Sequence, residues 1–179
     1  VQATVAAALL LVLIALLPGL ASRQLGVGAE NVPFLLLPGG LGFGLGLVAV
    51  NRWEARLGRL AWIGWGLAGL GLGIGLMAAA SGTPPLLGLM LASFLVIGLC
   101  LTLALIPART VLQERPPAGV RARVISAQLA LGNAAAVLPM LLGGSLADQI
   151  GIQPVLVLMA VVALAAGAGG LWFARKQGR

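Results

Sequence analysis

Six apolar runs, each about as long as a helix must be to cross a bilayer, make up almost the whole chain. They are Val1–Ala21, Val32–Val50, Leu60–Ala80, Pro85–Ile106, Val124–Leu146 and Pro154–Phe173. A hydrocarbon core of about 30 Å takes about 20 helical residues at about 1.5 Å rise each. Strands of a membrane barrel alternate apolar and polar residues over about ten positions. These runs are apolar on every side, so helices are expected. A soluble fold would also lack a surface, because only 8% of the residues are charged against about 25% in ordinary soluble domains. The expectation is an all-α integral membrane protein, a bundle of six transmembrane helices.

The charged residues sit between the runs, and they sit on one side. Arg52, Arg56 and Arg59 separate the second run from the third, and Arg109, Arg115, Arg121 and Arg123 separate the fourth from the fifth. Arg175, Lys176 and Arg179 follow the sixth. The opposite side carries Arg23 beside Glu30, the uncharged Ser81-Gly82-Thr83 turn, and Asp148. Lysine and arginine collect on the cytoplasmic side of membrane proteins, so both ends of this segment are expected to be cytoplasmic. Trp53, Trp62, Trp65 and Trp172 fall near the same face, where an interfacial belt would hold them. The net charge of +7 is therefore a topological signal. A nucleic-acid partner is not expected, because no basic stripe with interleaved aromatics is present.

Several chemistries are excluded. Cys100 is the only cysteine and histidine is absent, so one chain can build no disulfide, no thiolate or imidazole metal centre, and no Ser–His or Cys–His pair. No enzyme activity, metal or cofactor is expected. No ionisable group lies in the middle of a run, so no proton-carrying carboxylate is expected in this segment. The candidates for lining a substrate cavity are the few polar residues within runs: Gln2, Thr4, Ser93, Thr102, Gln128 and Asn133. For any one of them an interhelical hydrogen bond is the commoner role. Ser126 and Asn133 share a helix face while Gln128 points elsewhere, so the fifth helix is expected to meet protein on two sides.

Small residues mark the second and third runs. Gly40, Gly42, Gly44 and Gly46, then Gly69, Gly71, Gly73 and Gly75, form overlapping pairs four apart that let helices approach closely. Helix interruptions are expected at Pro38, Gly39 and Gly40 in the second run and at Pro139, Gly143 and Gly144 in the fifth. The two prolines fall at similar depth in helices of opposite direction. Matching interruptions in two inverted halves point to a transporter's working region.

Three stretches carry a resemblance. QERPPAGVRARV, Gln113 to Val124, is similar to the cytoplasmic loop that reads Q-E-x-x-P-x-x-x-R-G-R-V before the penultimate helix of major facilitator superfamily transporters. PMLLGGSLADQIG, Pro139 to Gly151, resembles the same family's helix end closing in G-x-L-A-D-x-x-G. NRWEARLGR, Asn51 to Arg59, resembles a worn copy of its D-R-x-G-R signature. Arg56, Gly58 and Arg59 match, but Ala55 stands where the aspartate belongs, with Glu54 one place earlier, and Ala122 replaces the glycine of R-G-R. In the family that aspartate helps lock one conformation, so the resemblance implies that this copy lacks the full lock. Such wear is usual in the family's second half.

The resemblance implies the carboxy-terminal six-helix half of a twelve-helix fold built from 3+3 inverted repeats, closest to bacterial macrolide- and drug-efflux members. The chain opens on Val1-Gln2-Ala3 without an initiator Met, and an amino-terminal half is expected upstream. The implied function is secondary transport by rocking alternating access, with efflux of a small lipophilic molecule. By the resemblance the first and fourth helices line the cavity most directly, with the second and fifth beside them. Arg56, Gly58, Arg59, Arg121, Arg123 and Asp148 are the gating candidates, and anchoring at the membrane surface is the plainer role for the arginines. The expected partners are the lipid bilayer, the amino-terminal half and a small-molecule substrate. The expected place is the plasma (inner) membrane of a bacterium, since the preference for arginine over lysine points to a GC-rich bacterial source. The alternative is a non-transporting six-helix module or subunit of a larger membrane complex.

Overall fold

The computed structural model describes residues 2–24, 32–57, 59–81, 87–114, 119 and 121–177. Among these residues run six helices: α1 (Gln2–Gln24), α2 (Val32–Leu57), α3 (Arg59–Ala80), α4 (Leu87–Glu114), α5 (Arg121–Ile150) and α6 (Ile152–Gln177). Each apolar run supplies the body of one helix. Leu60–Ala80, Gly88–Val111 and Ile152–Ala174 are long and apolar enough to cross a membrane, with mean hydropathies of 1.7, 2.7 and 2.3. The described parts of α1 and α2 contain shorter apolar segments, Thr4–Ile14 and Leu36–Arg52.

The helices outlast the apolar runs. Hydropathy marks only the part of a helix that lipid would cover, whereas backbone hydrogen bonds continue until a breaker intervenes. Asn51–Leu57, expected as a loop, therefore forms the last two turns of α2. α4 continues to Glu114, two turns past the end of its apolar run. Gly151, at φ 91°, alone separates α5 from α6. That left-handed conformation suits glycine and closes many helices. α3 ends on Ser81, whose N–H donates to the Met77 carbonyl at 3.1 Å and whose hydroxyl donates to the Ala78 carbonyl at 2.7 Å.

Among the described residues the main core cluster draws chiefly on four helices, with Ala147 of α5 at its edge. Ala6, Leu9, Leu13 and Leu16 of α1 meet Leu67, Leu70, Ile74 and Met77 of α3, together with Met90, Phe94, Ile97 and Leu101 of α4. Leu156, Met159 and Ala163 of α6 complete it. α3 packs chiefly on α6 and α4, α2 on α4, and α1 on α5. α2 and α5 flank this core and leave long faces uncovered, among them Leu37, Leu41 and Val48 on one and Leu129, Leu131 and Val137 on the other. α6 turns Val157, Leu158, Val161 and Val162 outward as a continuous apolar face. Apolar patches of that kind mark surfaces meant for lipid or protein.

Glycines set the closest contacts. On α2, Gly42 and Gly46 face α4 while Gly40 and Gly44 have open space. A Cβ at Gly42 would fall on the Leu95 carbonyl, and one at Gly98 of α4 would fall on the Gly39 carbonyl. On α3 the expected stripe divides between two neighbours. A Cβ at Gly66 or Gly73 would lie 2.5 Å from the Ala104 nitrogen and 2.8 Å from Ile97, both on α4, and Gly69 faces Cys100. Gly64 and Gly71 face Leu171 and Leu164 of α6, and Gly167 returns against Ala68. Where lipid removes any hydrophobic drive between helices, such backbone approach and its dispersion contacts hold the bundle together.

These contacts also fix direction. α2 and α4 run parallel, since Gly39, Gly42 and Gly46 meet successively later residues of α4, and α3 runs antiparallel to both α4 and α6. The carboxy-terminal ends of α2, α4 and α6 and the start of α3 therefore share one end of the bundle. Arg52, Arg109 and Lys176, all exposed, stand at that end. Trp65 and Trp172 are exposed there too, and the Lys176 ammonium lies 5.3 Å from the Trp172 ring centre, a cation–π distance. Trp62 departs from the expected belt. It is 8% exposed and packs inward against Val50 and Leu103, because its position one turn before Gly66 puts it on the face that α3 presents to α4.

Candidate substrate cleft

A cleft of about 260 Å³ lies between α1, α2 and α4. α1 contributes Leu10, Leu13 and Ile14, α2 contributes Leu36, Gly39, Gly40 and Phe43, and α4 contributes Phe94, Ile97, Gly98 and Leu101. No lining residue carries a charge or a polar side chain. Ile14, Leu36 and Phe43 are exposed at its mouth, while Leu13, Phe94, Ile97 and Leu101 form its buried floor. The close approach of Gly98 to Gly39 seats one flank of the cleft directly on backbone. Such a surface offers shape and dispersion contacts and has nothing with which to pair a charged group.

The polar candidates do not gather around this cleft. Ser93 and Thr102 are fully buried in α4. The Ser93 hydroxyl donates to the Leu89 carbonyl at 2.7 Å. The Thr102 hydroxyl has two acceptors in reach, the Gly98 carbonyl at 2.9 Å in its own helix and the Phe43 carbonyl of α2 at 3.2 Å. With one proton to give, it either closes on its own turn or fastens α4 to α2. Thr4 is half-buried and Asn133 exposed, as is Ser126. Both residues of the Ser126–Asn133 face of α5 are thus exposed among the described residues. The side chains of Gln2 and Gln128 lie outside the described residues.

Among the gating candidates, Arg123 is exposed near the start of α5. Gly58 lies outside the described residues, as do the side chains of Arg56, Arg59, Arg121 and Asp148, whose backbones belong to α2, α3, α5 and α5. α2 continues unbroken through Pro38, which is half-buried, with Gly39 facing α4 and Gly40 opening on the cleft. Pro139, Gly143 and Gly144 lie within α5, their surroundings outside the described residues. Sequence reasoning missed the cleft's own residues, Phe43, Phe94, Ile97 and Gly98. Gly98 carried a signal as the lone glycine among bulky residues in mid-run, whereas the others look like any lipid-facing side chain.

An all-helical chain with several membrane-length apolar helices and an apolar cleft among them belongs to the multi-pass membrane proteins. The family profile of the Major Facilitator Superfamily matches residues 1–179, and the chain belongs to that superfamily, whose members are membrane transporters rather than enzymes. No curated protein and no solved structure matches it significantly.

Proposed function

We propose that the chain is the carboxy-terminal six-helix half of a twelve-helix secondary transporter that exports a small lipophilic molecule by rocking alternating access. The apolar cleft between α1, α2 and α4 carries this reading, since α1 and α4 are the helices that line the cavity in such a fold. Its volume is below the roughly 300–1,000 Å³ of complete ligand pockets, in keeping with one wall of a cavity whose other wall is the amino-terminal half. The uncovered faces of α2 and α5 suit contact with that half. The helix pairing supports 3+3 inverted repeats. Exchanging α1 with α4, α2 with α5 and α3 with α6 turns the α1–α5 pair into the α4–α2 pair and leaves α3–α6 unchanged. Arg52, Arg109 and Lys176 at one end support a cytoplasmic placement of that end, in the plasma membrane of a bacterium.

Two measurements test the proposal. Cells making the complete protein should hold a neutral lipophilic fluorophore at a several-fold lower level than cells lacking it, and equal accumulation across a panel of such probes would refute export. A reporter fused after Arg179 should read as cytoplasmic, and an external signal would overturn the orientation.

A further inference from the structure

Among the described residues one side-chain hydrogen bond joins two helices, and it stands at the wall of the cleft. The Thr102 hydroxyl of α4 lies 3.2 Å from the Phe43 carbonyl of α2 and 2.9 Å from the Gly98 carbonyl of its own helix. Phe43 and Gly98 both line the cleft, one from each helix. Thr102 itself is fully buried and is not part of the lining. The spacing of α2 against α4 sets the width of the cleft, and this hydroxyl sits where that spacing is held.

The bond opens without stranding a polar group. Breaking a buried hydrogen bond is costly chiefly because a donor or acceptor is left unpaired. Within the helices the Gly98 carbonyl takes the N–H of Thr102, and the Phe43 carbonyl takes that of Leu47 four residues on. Each carbonyl therefore has a donor of its own before the hydroxyl adds a second to its remaining lone pair. Both acceptors are in reach of one oxygen position, so turning the hydroxyl proton moves the bond from one to the other. The seam around it is glycine against backbone, Gly39 on Gly98 and Gly42 on Leu95, with Gly46 against the Thr102 side chain. Dispersion holds such contacts, and Thr102 adds the one polar tie across them among the described residues.

We propose that Thr102 is a positioning residue of the cleft, a latch that holds the Phe43 backbone against α4 and turns to Gly98 when a bulkier ligand parts the two helices. This rests on the reading that the cleft receives a neutral lipophilic substrate. Small ligands bind with the latch closed, whereas larger ones must open it, so the latch biases the cleft toward small substrates. Phe43, 43% exposed at the mouth, is the side chain it keeps in place.

The test uses the purified complete protein in detergent and two neutral lipophilic fluorophores, one small and one larger. Binding of each is measured alongside the spread of distances between spin labels at Leu37→Cys and Ala92→Cys, in a protein whose other cysteines are replaced. Both positions are exposed, on α2 and α4. Thr102→Val keeps the side chain's shape and removes the hydroxyl. It should raise affinity for the larger probe relative to the smaller several-fold, and broaden the spin-label distances with no ligand present. Thr102→Ser keeps the hydroxyl and should restore the parent's preference and spread. A general loss of folded protein would lower binding of both probes alike and leave their ratio unchanged. If Thr102→Val matches the parent in preference and spread, the latch is refuted while the cleft stands as the binding site. A broader spread with unchanged preference would reduce Thr102 to a structural tie and overturn the proposal as well. A parent that binds neither probe would instead refute the cleft reading on which the latch rests.

Discussion

Adding one methyl group at Gly98 or at Gly42 should strongly destabilise the bundle, whereas the same addition at Gly44 should not. A Cβ at Gly98 meets the Gly39 carbonyl and one at Gly42 meets the Leu95 carbonyl. In both places the obstacle is backbone, which cannot swing aside as a side chain tip can. α2 and α4 would have to separate along the seam. Gly46 would then lose its contact with Thr102, and the Thr102–Phe43 hydrogen bond would stretch beyond reach. Overpacking of this sort costs about 1–3 kcal/mol, and rigid partners on both sides place Gly98→Ala and Gly42→Ala at the upper end. That is a large share of a total stability of about 5–15 kcal/mol. Gly44 has no atom within 4 Å of a would-be Cβ, so Gly44→Ala should stay within about 0.5 kcal/mol of the parent. Thermal melts in detergent, with size-exclusion profiles for folded yield, would separate the three variants. A Gly98→Ala protein that melts with the parent would show that α2 and α4 are not joined at these glycines.

The contrast between Gly42 and Gly44 shows where the sequence stops speaking. Six helices could be read directly, because twenty apolar residues in succession leave a chain in lipid little choice but to satisfy its backbone within a helix. Their faces could not. A helix that is apolar all round has no polar stripe to tell outside from inside, so four alternating glycines looked alike although two face α4 and two face open space among the described residues. The same blindness hid the cleft, since Phe43 and Ile97 are chemically what lipid-facing residues are. Thr102 stood out because it is polar, yet it proved to be satisfied by backbone carbonyls and absent from the cleft lining. Helix ends were blurred for another reason. Arg52 and the residues after it are too polar for lipid but still helical, so the hydropathy boundary fell about two turns short of the end of α2. Trp62 was placed in the belt by its depth alone, whereas its direction depends on the position of Gly66 one turn along.

On the proposed export function, Ile14→Asp should abolish export of neutral lipophiles and open the cleft to lipophilic cations. Ile14 lines the cleft and is 50% exposed, so its replacement disturbs the core far less than a change at buried Leu13 or Phe94 would. A carboxylate near the middle of a membrane helix costs about 2.5–3.5 kcal/mol, and none of the cleft-lining residues of α1, α2 and α4 offers a cation to offset it. A neutral substrate would have to bury that charge against itself, and a factor of ten in binding corresponds to about 1.4 kcal/mol. The penalty therefore predicts at least a tenfold loss of neutral export. A lipophilic cation entering the same cleft would pair with the carboxylate, so its efflux should rise above that of the parent. Ile14→Asn changes shape and polarity without charge, and it should retain most of the neutral export while gaining no cation efflux. Following a neutral and a cationic fluorophore in the same cells reads both effects at once. If Ile14→Asp exports the neutral probe as the parent does, the substrate does not pass along this cleft, and the wall formed by α1, α2 and α4 serves packing alone.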